Sequence, residues 1–185
     1  KEIIKNGKME ALNTALYGYV NNGLNTLPTS EQIYDPDKFF IDERYDELVV
    51  ETIEVDGFTL IDEGSIGALD LVYLMQDKIG QKNAVNAAIG IGGGVWKDYV
   101  NDAGELLMTL KLSGDDSTEL QEIYDSFILW AEAQSRFDGV DSLVGGNLFT
   151  GKTNFWISKD QNSIRIVLSQ NLDQLNSISN QLKDF

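Results

Sequence analysis

The stretch from residue 95 to residue 112 constrains the fold more than any other. Val95-Trp96-Lys97-Asp98-Tyr99-Val100 is rich in β-branched and aromatic residues, Asn101-Asp102-Ala103-Gly104 carries turn chemistry, and Glu105 to Leu112 resumes a strand-like run. Two strands joined by a turn are expected. Ser113-Gly114-Asp115-Asp116-Ser117 then opens a long helix, with acids where the helix dipole favours them. Leu120, Ile123, Tyr124, Phe127, Ile128 and Ala131 give that helix one apolar face running to about Phe137. The order then repeats. Residues 138–151, DGVDSLVGGNLFTG, read as a Gly-rich loop. Lys152 to Ser158 and Ser163 to Leu168 read as a second hairpin around Lys159-Asp160-Gln161-Asn162, and a last helix, Leu172 to Leu182, turns Leu175, Ile178 and Leu182 inward. Two ββα units in tandem predict an α+β fold, with one antiparallel sheet of about four strands and helices packed on one face.

Upstream, Met9, Leu12, Leu16, Tyr19 and Val20 recur at helical spacing between Lys8 and Asn22, and Asn21-Asn22-Gly23 is a stop signal. Ser30 is a candidate N-cap for a short helical turn holding Glu31 and Gln32, which Asp35-Pro36 ends. Glu47 to Val55, ELVVETIEV, reads as a strand or as an extended segment lying across a core, followed by an Asp56-Gly57 turn. Ile66, Leu69, Val72, Tyr73 and Met75 make a helical stripe within Asp62 to Lys78, and a shorter helix is expected from Gln81 to Ile89. A chain of 185 residues suits a single α+β domain. Within it, residues 1–60 form a helix plus an extended clamp, and residues 61–185 form helices and the two hairpin–helix units.

Composition excludes more chemistry than it suggests. There is no cysteine, which removes disulfides, a thiol nucleophile and thiolate zinc sites. There is no histidine either, so triad hydrolysis, His-ligated zinc and imidazole acid–base catalysis are out within this chain. Thirty acids against 14 bases give a net charge of −16, which opposes nucleic-acid binding and docking on anionic lipid. The same charge suits solubility and salty or extracellular surroundings. No apolar run approaches the roughly 20 residues of a membrane span. The first residue is Lys1 rather than Met, so a processed or excised piece of a larger precursor is expected.

Local motifs add little catalysis. Gly90-Ile91-Gly92-Gly93-Gly94-Val95-Trp96 is glycine-rich, but a helix precedes it and a strand follows, the reverse of a dinucleotide fingerprint. A bend that lets helix and strand approach closely is the expectation. Gly151-Lys152-Thr153 mimics the end of a P-loop yet leads into a strand, so nucleotide binding is not expected there. The remaining ligand chemistry is acidic. Asp35, Asp37, Asp42, Glu43, Asp46 and Glu47 lie close together, and Asp115-Asp116 and Asp138 with Asp141 fall in expected loops. Carboxylates of this density can hold Ca²⁺, with Asp35, Asp37, Asp42 and Asp46 as candidate ligands, although Phe40 stands where an EF-hand has its glycine. Solvated acidic loops are the simpler reading. Tyr34, Phe39, Phe40 and Tyr45 could present a partner surface, with burial against the first helix as the alternative.

Residues 29–39, Thr-Ser-Glu-Gln-Ile-Tyr-Asp-Pro-Asp-Lys-Phe, have a further significance. They resemble the "PPTSTEQILHPEKY" segment of large secreted or lipid-anchored bacterial and archaeal proteins. In that family an N-terminal HExxH zinc-peptidase-like half precedes an α+β half. The likeness continues, in order, through Asp62 to Ala68, then Ala87-Ala88-Ile89-Gly90-Ile91-Gly92-Gly93-Gly94-Val95-Trp96, then Asp115 to Ala133, spanning residues 8–135. There are departures. The family's Leu-Gly-Glu is Ile66-Gly67-Ala68 here, its Gly-Trp-Gly-Gly-Asp-Arg is Gly90-Ile91-Gly92-Gly93-Gly94-Val95, and its His before Pro is Asp35. The resemblance implies the C-terminal partner of a peptidase-like half, with the HExxH helix absent from this chain.

These readings converge on a non-catalytic, extracellular or cell-surface domain with a structural or partner-binding role. A protein partner or the remainder of a larger precursor is its expected counterpart. No cofactor is expected. A calcium- or small-ligand-binding module using the acidic loops near 35–47 or 138–147 is the alternative, and a hydrolase working with carboxylates alone is a third class.

Overall fold

The computed structural model describes the whole chain except residues 1, 22, 23, 27, 42, 50–52, 135, 136, 144 and 183–185. Helix α1 (Glu2–Tyr17) leads into two short antiparallel strands, β1 (Tyr19–Asn21) and β2 (Leu24–Thr26). Two brief helices follow, α2 (Glu31–Tyr34) and α3 (Pro36–Phe40). Then come β3 (Phe58–Ser65), α4 (Ala68–Ile79), α5 (Gln81–Ala88) and the hairpin β4 (Ile91–Asn101) with β5 (Leu106–Gly114). The chain ends with α6 (Ser117–Glu132), the strands β6 (Phe137–Leu143), β7 (Gly146–Gly151), β8 (Asn154–Lys159) and β9 (Ile164–Ser169), and α7 (Leu172–Leu182).

The α+β class expected from sequence is the one observed, but the sheet is larger than expected. It has seven strands in the order β3-β4-β5-β9-β8-β7-β6, all antiparallel, rather than about four. The extra strands come from two misread segments. Residues 58–65, partly assigned to a helix, pair along β4 as an edge strand. Residues 138–151, assigned to a loop, form the β6–β7 hairpin, with Leu143 opposite Gly146 and Gly145 at φ 73° in the turn. The central join is β5 on β9, with Leu110 opposite Ile166 and Leu112 opposite Ile164. The β6-to-β9 meander therefore walks back from the far edge to meet the first hairpin.

Helices cover both faces of the sheet, not one. On one face Leu110, Leu112, Phe149, Phe155, Ile157, Ile164 and Ile166 pack with Leu71 and Met75 of α4, the alanines of α5, and Leu120, Ile123 and Phe127 of α6. The opposite face carries Tyr99, Leu107, Leu148, Trp156 and Val167, covered by Leu175, Ile178 and Leu182 of α7 and by Ile53. The split follows from strand alternation, since Leu107 and Leu110 on β5 point to opposite faces. Each fully buried Leu, Ile or Phe contributes about 2 kcal/mol here. Trp130 links layers, with its ring 5.7 Å from Phe155 and its Nε1 donating to the Leu74 carbonyl at 2.9 Å. Ile53 buries as an extended segment across a core would, with no strand among the described residues of 47–55. No helix among the described residues is long and apolar enough to cross a membrane.

Candidate functional site

The described residues of 29–49 form a strap on the sheet layer. Its start is organised by local polar bonds. Thr29 and Gln32 exchange a pair, Thr29 N donating to Gln32 Oε1 at 3.3 Å and Gln32 N to Thr29 Oγ1 at 3.4 Å. Ser30 does not cap its own helix; its Oγ instead accepts from Leu69 N at 3.2 Å, serving the first turn of α4. Asp35 caps α3, accepting from Asp37 N at 3.1 Å, and Pro36 fills the first helical position.

The far half of the strap lies on the glycine-rich strand. Asp46 N donates to the Gly92 carbonyl at 2.6 Å, and Asp46 Oδ2 accepts from Ser113 Oγ at 2.8 Å. The Tyr45 hydroxyl accepts from Gly94 N at 2.7 Å and donates to the Gly94 carbonyl. A Cβ on Gly93 would sit 2.5 Å from the Asp46 carbonyl oxygen, and one on Gly94 would sit 2.4 Å from Ile66 Cγ2. The expected approach of the preceding helix to the strand is not what these two glycines serve: Gly93 meets the strap and Gly94 meets Ile66. They form no anion cradle.

Charge converges where the strap meets the β5–α6 corner. Lys38 Nζ lies 2.8 Å from Glu31 Oε1 and 3.3 Å from Glu43 Oε2, and contacts Asp115 Oδ2 more closely still. Carboxylate oxygens of Glu31, Glu43 and Asp115 all lie within 4.8 Å of one another. Such a triangle could hold a cation, and here it holds an ammonium. Glu31 is only 6 % exposed. Burial pushes its pKa up to about 8 against the pull of the Lys38 hydrogen bond, with Asp115 and Glu43 adding to the rise. Burial and the Asp115 charge also raise Glu43. Burial works against the Lys38 ammonium, but its hydrogen bonds to Asp115 and Glu31 prevail and hold it above the ordinary lysine value. Glu119 on α6 is raised by burial, with Lys38 opposing. Three carboxylates thus share one positive charge in a largely desolvated corner.

The candidate calcium ligands are placed apart from this triangle. Asp35 is spent on the α3 cap, Asp37 sits in the exposed first turn of α3, Asp46 bonds Ser113, and Asp42 lies outside the described residues. Asp116 caps α6 through Thr118 N at 2.7 Å and Glu119 N at 3.0 Å, while Asp138 and Asp141 fall on β6. Phe39 is buried and Phe40 exposed, so the aromatic run of the strap is split between core and surface. Sequence reasoning missed the Lys38 cluster because Asp115 is 77 residues from Lys38 and no local pattern joins them. The one available signal was Glu31 itself, an acid in a short helix beside Ile33 and Tyr34.

Two surface hollows accompany the site without including its acids. One, of about 280 Å³, is lined by Leu48, Val49, Glu63, Gly64, Val95, Trp96 and Lys97. The other, of about 490 Å³, runs between residues 54–56 and α7, where Asp173, Gln174, Ser177 and Gln181 face it. Comparison with known proteins finds no matching family model, no matching curated protein and no matching solved structure.

Proposed function

We propose that this chain is a non-catalytic, extracytoplasmic domain with a structural or partner-binding role, acting as the C-terminal counterpart of a peptidase-like half. The observation that carries the reading is how the strap spends its functional groups. The strap, whose first part resembles the peptidase-linked family, commits Ser30, Glu31, Gln32, Lys38, Tyr45 and Asp46 to internal bonds. Gln32 Nε2, for example, donates to the Glu43 carbonyl at 2.8 Å. A carboxylate hydrolase needs two acids facing a substrate cleft. Glu31 and Glu43 instead face an ammonium. Exposed apolar side chains on the same N-terminal portion support a partner surface: Tyr17 on α1 is 72 % exposed, Ile33 75 %, Ile41 73 % and Val49 78 %.

The test is peptide mapping and intact mass of the protein from its native source. A larger species containing an HExxH peptide is the expected result. A mature species that begins at or near Lys1 would sink the peptidase link. A calcium module using residues 35–47 is the competing reading. It would show as a rise in Tm on adding about 1 mM Ca²⁺, the affinity range of extracellular modules. No rise is expected, because Asp35 and Asp46 already serve as cap and tether.

A further inference from the structure

The strap is tied to the sheet layer by hydrogen bonds at both ends and by the ion cluster in the middle. Ser30 reaches Leu69, Tyr45 reaches Gly94, and Asp46 reaches Gly92 and Ser113. Between them the charge count does not balance. Glu31, Glu43 and Asp115 bring three carboxylates to the single ammonium of Lys38, in side chains 8 %, 25 %, 16 % and 11 % exposed respectively. Carboxylates whose oxygens lie within 4.8 Å of one another cannot all ionise in a desolvated site without mutual repulsion. With one proton among them the cluster carries net −1; without it, net −2. The extra charge falls on the seam between strap and layer, since Glu31, Lys38 and Glu43 belong to the strap and Asp115 to the β5–α6 corner.

We propose that the Lys38 cluster is a proton-dependent latch: with one proton shared among Glu31, Glu43 and Asp115 it holds the described residues of 29–46 on the sheet layer, and loss of that proton releases them. The groups facing Glu31 are Lys38 from α3, Glu43 from the strap beyond it, and Asp115 from the corner. Glu119 and Asp116 at the head of α6 act on the same ammonium. At the neighbouring tether, Asp46 and Asp70 face Tyr45, whose hydroxyl burial keeps protonated, so that bond does not switch. The direction follows from Glu31, raised from 4.5 to about 8 in the folded protein. The folded state then holds a proton that the unfolded chain would release. The latch is fully engaged below about pH 4.5, weakens as pH rises, and is lost as pH passes about 8. Its release loosens the segment that presents Ile33 and Ile41, which makes the exposed apolar surface of the strap responsive to pH.

Hydrogen exchange read by mass spectrometry on the full chain tests this, with protection factors corrected for the intrinsic pH dependence of exchange. Peptides covering 29–46 are compared with peptides covering 154–169 at about pH 6 and about pH 9. The expected result is a fall in strap protection of at least about tenfold, with the sheet peptides unchanged, and little or no fall in Glu31→Gln. Strap protection that stays constant in the wild-type protein would overturn the latch, as would an equal fall in Glu31→Gln. If that variant does not fold, the Glu31 carboxyl of the wild-type protein is titrated by ¹³C NMR. A midpoint above about 7 supports the proposal, and one below that overturns it.

Discussion

Lys38 shows how much can rest on one side chain. Its ammonium touches acids from three places in the chain, and its removal would leave Glu31, Glu43 and Asp115 facing one another. Lys38→Met should destabilise by about 3 kcal/mol at pH 7, the scale set by breaking a buried pair. At pH 5 the loss should be smaller, because protonation then relieves the acids; urea unfolding at the two pH values checks this. Gly94 is constrained in a different way. A methyl there would overlap Ile66 and Leu112, so Gly94→Ala should cost about 2 kcal/mol or more by the same measurement. Asp160 behaves oppositely to Glu31. Burial opposes its charge, but bonds from Asn162 N, Arg165 and Ser163 N prevail and depress its pKa, so its contribution is present at neutral pH and fades as the solution becomes acidic.

At the scale of elements, Ser30 joins two helices that sequence reading kept apart. Its hydroxyl serves Leu69 N at the head of α4, so Ser30→Ala should cost about 1 kcal/mol and loosen α4 rather than α2. Amide exchange at the first turn of α4 distinguishes the two. The β4–β5 hairpin was legible because its signals are local. Asn101 Oδ1 accepts from Ala103 N at 3.0 Å and Glu105 N at 2.9 Å, and Gly104 supplies φ 79°. The helices α6 and α7 were legible through their apolar stripes, although α6 ends at Glu132 and Phe137, expected at its end, opens β6. Strand β3 was not, because it is an exposed edge: Leu60, Ile61, Asp62 and Glu63 all face solvent, which erases the alternation that marks a strand. Its Asp62 and Glu63 then passed for helix-opening acids. The β6–β7 hairpin was hidden by glycines, which carry no side-chain pattern at all. The ion cluster was hidden by distance along the chain.

For the whole molecule, 30 acids against 14 bases set a background repulsion that the compact state must carry. Screening should relieve it. Tm at neutral pH is expected to rise from low salt to about 0.5 M NaCl, and a fall would mean that screened ion pairs outweigh the general repulsion. Packing holds the molecule together against that charge. The sheet is sandwiched between α4, α5 and α6 on one face and α7 on the other, with Trp156 fully buried beneath α7. The strap adds the N-terminal portion to this layer through polar bonds and one shared ammonium. That arrangement fits a domain whose conspicuous sequence motif is structural. The most direct test is a double-mutant cycle at pH 6 with Lys38→Met, Asp115→Asn and the pair combined, each followed by urea unfolding. A coupling energy of about 2 kcal/mol between the two sites is expected if the ammonium locks strap to layer. Additivity within about 0.4 kcal/mol would contradict it and leave the strap without its central fastening.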